Sequence, residues 1–303
     1  MIDLLNIFAN NLLPIFLAAG SGYVLGKRLK VKPTAISQTI FYIFSPCLVF
    51  SILTHNPLGK SEIFFTIGFV SLLNVLVGLL TWVACRLLKI ERRLTAAVLM
   101  TAMFMNSGNY GLPLTLFAFG EAALAYASLY FVTAQLFVNS VGIIIASSGS
   151  AGLLQSLRGL IKFPATYSLV LAMIFVSQGW TLPPVLEKTT TLLGNASVPA
   201  MLVLLGLQLQ NVRWVGNILP ASLAGIMRLV VAPLIALGLT NIFHFPLPAY
   251  QASVVESAMP SAVYNTLLAT QFDNEPAFVT MVVFATTLIS PLTITPLLAY
   301  LGA

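Results

Sequence analysis

The chain has 303 residues, 58% of them hydrophobic and only 7% charged, at a mean hydropathy of +0.97, whereas soluble domains carry about 25% charged residues. Such a composition rules out water as the main solvent. The two cysteines, Cys47 and Cys85, lie within apolar runs without CxxC or metal-type spacing, so neither a disulfide framework nor a zinc site is supported.

A membrane helix needs roughly 20 apolar residues to cross a hydrocarbon core of about 30 Å, which leaves room for about ten crossings. Apolar runs between charged or Gly/Pro-rich interruptions predict spans over 5–26, 35–54, 62–85, 94–119, 123–146, 160–179, 187–209, 216–242, 249–271 and 277–300. The opening stretch MIDLLNIFANNLLPIF lacks the basic region of a cleaved signal and is expected to stay on the protein.

The net charge of +6 is distributed unevenly. The first, third, fifth and seventh connections hold Lys27, Arg28, Lys30 and Lys32, then Arg86, Lys89, Arg92 and Arg93, then Arg158 and Lys162, then Arg213, while the opposite side holds Lys60 and Lys188. Lys and Arg gather in cytoplasmic loops, so these connections are expected in the cytoplasm and both termini outside. The basic excess thus reads as an orientation signal, and nucleic acid drops out as a partner. His55, His244, Trp82, Trp180 and Trp214 fall near span ends, as interfacial residues do, and Glu121, Asp273 and Glu275 fall in turns expected to stay hydrated.

The Ser- and Gly-rich stretch ASSGSAGLLQSLRG at 146–159 reads as a flexible linker near the midpoint. It divides the chain into a first five-helix repeat, 1–147, a cytoplasmic linker, 148–159, and a second five-helix repeat, 160–303, which must enter the membrane in the opposite sense. Sequence landmarks agree. The second span carries Pro46 and the seventh Pro199; the fourth carries MNSGNYGLPL with Pro113 and the ninth ESAMPSAVYN with Pro260. The expected fold class is all-α integral membrane, with ten transmembrane helices as two inverted five-helix repeats and interrupted fourth and ninth helices. Prolines in membrane helices also occur as simple kinks, and for Pro46 and Pro199 both readings stand.

In the fourth span Pro113 removes a backbone donor, and Gly108 and Gly111 permit non-helical angles. A helix ending near Asn106, an unwound stretch and a second half-helix from Pro113 are expected, with a matching start from Pro260. Helix starts present free N–H groups and a positive dipole end, so two of them favour a small anion. Asn106, Asn109 and Asn265, with Ser107 and Ser261, are the candidate polar contacts; for Asn109 and Asn265 helix capping is the alternative role. Charged residues inside spans mark function by default. Glu256, four residues before Pro260, is the candidate for proton or sodium coupling, or else a structural partner for Arg228, which lies near the centre of the eighth span where Asn74 occupies the comparable place in the third. No catalytic or metal-binding constellation such as HExxH or GxSG occurs, so no enzyme is expected; no cofactor is expected beyond a coupling ion.

The stretches NSGNYGLPL at 106–114, SPCLVF at 45–50 and ESAMPSAVYNTLLA at 256–269 resemble the auxin efflux carrier family, which includes plant PIN-FORMED proteins and bacterial permeases annotated for malate or malonate. The resemblance implies a sodium/proton antiporter-like fold whose fourth and ninth helices cross at their prolines, with Asn106, Pro113 and Pro260 at binding and crossover positions. It also implies a homodimer, a scaffold containing the first, third, sixth and eighth helices, and a transport domain completed by the second and seventh. The short 148–159 linker and Ala165, where the plant pattern has Asn, set the chain apart from the plant members. The function implied is secondary transport of a small organic anion across the plasma membrane by elevator-type alternating access. An anion channel, or a substrate sensor with a carrier fold, is the alternative.

Overall fold

The computed structural model describes residues 2–147, 164–210 and 215–303. The linker 148–159, Arg158, Lys162, Arg213 and Trp214 lie outside the described residues. The fold is built from helices: α1 Leu4–Leu29, α2 Pro33–His55, α3 Lys60–Leu87, α4 Arg92–Met103, α5 Ser107–Ala146, α6 Pro164–Gln178, α7 Pro184–Gln208, α8 Ile218–Phe243, α9 Leu247–Ser257, α10 Tyr264–Gln271 and α11 Pro276–Tyr300. Among the described residues seven of these, α1, α2, α3, α5, α7, α8 and α11, are long and apolar enough to cross a membrane. Many large apolar side chains point outward, including Leu17, Phe64, Val185, Ile218 and Leu292, as a lipid-facing surface requires.

The 40 residues of α5 would reach about 60 Å as one straight rod, twice the hydrocarbon thickness. They do not form one, because Gly120 holds φ 76° and ψ −169° and interrupts the helical path. The predicted fourth and fifth spans are thus separated by one glycine in a conformation that side chains disfavour.

Four prolines are accommodated in the same way. The π turns Phe8–Leu12, Ile40–Phe44, Ser107–Gly111 and Met227–Val231 each end two residues before a proline, at Pro14, Pro46, Pro113 and Pro233. A proline ring strikes the carbonyl four residues earlier in a regular helix. Widening the preceding turn moves that carbonyl aside, so α2 runs through Pro46 to His55 without a gap. Pro199 instead follows a local turn at Ala196 and lies in the first turn of Ser197–Gln208.

Packing divides the helices differently from the expected scaffold. α7 lies against α1, and their backbones nearly touch: a Cβ at Gly206 would come 1.7 Å from the Ala19 carbonyl oxygen, and one at Gly22 2.1 Å from that of Val203. Small residues permit such approach between membrane helices. α2 packs on α6 and α7, with Phe50 against Phe175 at 5.4 Å and Ser51 Oγ 3.2 Å from Thr191 Oγ1. By contrast α3 packs on α8, through Phe69 and Phe243 at 5.7 Å, and on α4 and α5. The first, second, sixth and seventh helices therefore form one packing group, and the third and eighth join the interrupted helices. The grouping of the third and eighth with the scaffold, and of the second and seventh with the crossing helices, is corrected accordingly.

Candidate functional site

The two interruptions meet. Between α4 and α5 residues 104–106 are non-helical, with Phe104 extended at φ −98° and ψ 110°, and between α9 and α10 residues 258–263 leave the helix. Backbone groups at membrane depth need protein partners, and here each segment supplies the other's. Asn106 N donates to Pro260 O at 2.8 Å and Ala262 N to Phe104 O at 2.9 Å, which pairs Met105 with Ser261 as an antiparallel bridge.

The first gap lies upstream of its predicted place. Gly111 N donates to Asn106 O at 3.0 Å across the π turn, so the second helical arm starts at Ser107, before Pro113. The second arm of the other interruption starts at Tyr264, and Pro260 lies within the non-helical stretch. Gly108 and Gly111 are not there for unusual angles either. Both lie in the π turn, Gly111 at φ −66° and ψ −52°, and what they supply is space. A Cβ at Gly108 would come 2.8 Å from Phe131, and one at Gly111 2.1 Å from Glu256 Oε2.

The carboxyl of Glu256 therefore fills the place of a side chain at position 111, next to the start of the α5 arm. It is fully buried, Oε1 accepts from Thr115 Oγ1 at 3.4 Å, and Oε2 has no hydrogen-bond partner. A positive helix end stabilises a carboxylate there. Arg228 serves the opposite ends. Its Nη1 donates to the carbonyls of Ala102 and Met103 at 3.0 Å each, and its Nη2 to that of Ser257. One fully buried cation thus closes the negative C-terminal ends of both α4 and α9. Among the described residues no ion pair joins Arg228 to Glu256, so the direct partnership considered from sequence is replaced by two separate helix-end contacts. Asn74 is buried and donates to Val70 O at 2.8 Å within its own helix.

The candidate amides separate. Asn265 Nδ2 donates to the carbonyls of Met100 and Phe104 at 3.1 Å each and to Ser261 Oγ at 3.2 Å, which makes it a cap on the end of α4. Asn109 Nδ2 donates to Gln208 Oε1 of α7 at 3.3 Å. Asn106 is buried, and its Nδ2 has no partner. Ser107 and Ser261 are both buried, and Ser261 N donates to Thr286 Oγ1 of α11 at 3.2 Å.

Sequence reasoning missed Thr115, Gln208, Thr286 and Tyr110. Tyr110 is fully buried and accepts from Ser290 Oγ of α11 at 3.2 Å. Thr115 and Tyr110 lie in or beside the motif itself, and a polar side chain two residues past a buried proline was the available signal for Thr115.

Residues 7–298 match a family described as membrane transport protein. The chain is similar, at 27% identity over 271 residues and 88% of each chain, to an uncharacterized transporter of Methanothermobacter thermautotrophicus. It is also similar, at 27% identity over 270 residues and 86% of each chain, to an uncharacterized transporter of Methanocaldococcus jannaschii.

Proposed function

Because the chain belongs to the membrane transport protein family, which includes the auxin efflux carriers that its sequence resembles, we propose that it is a secondary carrier for a small organic anion. It is a multi-pass membrane transport protein and not an enzyme. The finer proposal assigns the substrate carboxylate to the paired interruptions, and the observation that carries it is the buried, unpartnered Nδ2 of Asn106 beside the start of a helical arm. A buried donor without a partner costs about 1–3 kcal/mol, and an anion that accepts from it removes that cost. Asn109, Ser107 and Ser261 line the same region, while Asn265 and Arg228 hold the helix ends in position.

The proposal includes two inverted repeats, 1–147 and 160–303, crossing at Met105 and Ser261. In it α3, α4, α5, α8, α9, α10 and α11 travel as one body against α1, α2, α6 and α7, which is elevator-type movement. It also includes a homodimer in the plasma membrane with both termini outside. Glu256 is assigned the coupling ion, a proton or sodium, because its Oε2 is unpartnered and Ser253 Oγ, one turn earlier on α9, is unpartnered too. Such a carboxylate and a substrate anion repel at close range, and binding a cation there relieves the repulsion.

Uptake of labelled mono- and dicarboxylates into proteoliposomes tests the reading. Wild type is expected to show saturable counterflow, and Asn106→Ala to lose it while keeping the wild-type melting temperature. Absence of uptake for every carboxylate, or full activity in Asn106→Ala, overturns the anion site; conductance without counterflow favours a channel. The Glu256→Gln variant is expected to lose dependence on proton and sodium gradients, and normal dependence would sink the coupling assignment alone.

A further inference from the structure

A cavity of about 440 Å³ opens between α2, α3, α5 and α6. Its shaft is apolar, formed by Leu53, Ile63, Leu129, Leu169, Met173 and Val176. At its rim stand Lys60, the first residue of α3, and Ser177, near the end of α6. From Leu169 to Ser177 α6 rises about 12 Å. The cavity is therefore an amphipathic slot, polar at one end and oily along its length.

The side of the slot faces the bilayer. Val170, Met173, Ile174 and Val176 on α6 are between 37% and 51% exposed, on a helix whose other large side chains are also apolar. A small hydrophilic carboxylate finds no hydrogen-bond donor along such walls and loses its hydration. A lipid chain loses nothing. Among the described residues the Lys60 ammonium at the rim has no ion pair, and the nearby Glu62 Oε2 accepts instead from the Gly59 N–H at 2.7 Å, capping α3.

We propose that this slot is a binding site for one anionic phospholipid, its acyl chain between α3 and α6 and its phosphate at Lys60. Moving a chain from the bilayer into an apolar slot gains no hydrophobic free energy, since lipid tails are as apolar as the walls. Selectivity must come from the headgroup. One Lys near the surface favours an anionic over a zwitterionic lipid by about fivefold. A lipid seated there touches α2 and α6 of one packing group and α3 and α5 of the other, so its occupancy bears on their relative movement. That last consequence rests on the elevator reading, and the binding itself does not.

Native mass spectrometry of the full-length protein, released from detergent with equal amounts of dioleoyl-phosphatidylglycerol and dioleoyl-phosphatidylcholine, tests the site without any transport measurement. Wild type is expected to retain one phosphatidylglycerol per chain, about fivefold over phosphatidylcholine. Lys60→Ala is expected to abolish the preference, Lys188→Ala to leave it unchanged, and Val170→Trp, which fills the slot from its exposed side, to reduce retention of both lipids. Equal retention of the two lipids by wild type, as for lipid around any membrane protein, overturns the proposal. So does a preference that survives Lys60→Ala, disappears with Lys188→Ala, or persists at full retention in Val170→Trp. The melting temperature of each variant, measured on the same samples, separates lost binding from lost folding.

Discussion

At the first interruption the chain leaves helix for 104–106 and returns through a π turn; at the second it leaves for 258–263 and returns at Tyr264 without one. Each carries a buried asparagine, yet the two amides differ in their surroundings. Asn265 donates to the α4 carbonyls, whereas the Nδ2 of Asn106 has no partner. One amide therefore holds the interruption together, while the other keeps a buried donor unused. Arg228 holds both interruptions at once, so it ranks first among the residues whose loss erases the difference.

In Arg228→Met three helix-end carbonyls lose their donor, at about 1–3 kcal/mol for each buried group left unsatisfied. A loss of several kcal/mol is expected, read as a large fall in melting temperature and in yield. Arg228→Lys is expected to recover part of it, because a single ammonium lacks the planar fork that reaches two helix ends together. A wild-type melting temperature in Arg228→Met would break the account of how the two interruptions are joined.

Asn265→Ala and Asn106→Ala sharpen the comparison directly. The first removes a side-chain donor from the carbonyls of Met100 and Phe104, each of which keeps a backbone donor, and a loss of about 0.5–1.5 kcal/mol is expected. The second deletes a donor that has no partner, so its stability is expected to stay within about 0.5 kcal/mol of wild type, with transport lost. If both variants melt alike, the division between a structural and a binding amide fails.

A glycine pair separates space from angle. Gly111 has ordinary angles but no room, since a Cβ there meets the Glu256 carboxyl; Gly120 has room but a φ of 76°. Gly120→Ala is expected to cost about 1–3 kcal/mol through the backbone alone and to leave transport intact. Gly111→Ala is expected to impair transport by displacing Glu256, and shortening the partner in Gly111→Ala/Glu256→Ala is expected to restore the melting temperature, though not gradient coupling. Recovery of nothing in the double variant would mean that the contact is not what Gly111 is for.

Much of this was legible in sequence because membrane helices announce themselves by length and apolarity, and because Asn, Gly and Pro cluster conspicuously in MFMNSGNYGLPL. The placement of the gap was not. Residues 104–106, FMN, look like ordinary helix, and only the pairing with Pro260 and Ala262 draws them out, a contact made across more than 150 residues of chain. Likewise Gly111 reads as a hinge because its neighbour in space, Glu256, is remote in sequence. The helix groups are hidden for the same reason: the near-contact of Gly22 and Gly206 depends on which helices meet, and the grouping that the resemblance implies is a different one.

The smallest effect is expected where the interrupted helices reach the membrane edge. Arg93, at the start of α4, pairs with Asp273 at 3.3 Å and Glu275 at 3.6 Å, and its Nη2 also donates to the Asp273 carbonyl. Both acids lie in the α10–α11 connection, where hydrated turns were expected, and both take left-handed backbone angles, φ 48° and 49°. The cluster ties the outer ends of the two interruptions together as Arg228 ties their inner ends, but in water. The Asp273 side chain is 91% exposed and that of Arg93 49%, so the solvent screens most of the attraction, and exposed pairs contribute about 0.2–1 kcal/mol. Arg93→Ala is expected to lower stability by no more than that, and the difference from wild type is expected to shrink in high salt. A loss comparable to that of Arg228→Met, or one insensitive to salt, would show that the edge contact rather than the buried guanidinium is the main fastening between the two interrupted helices.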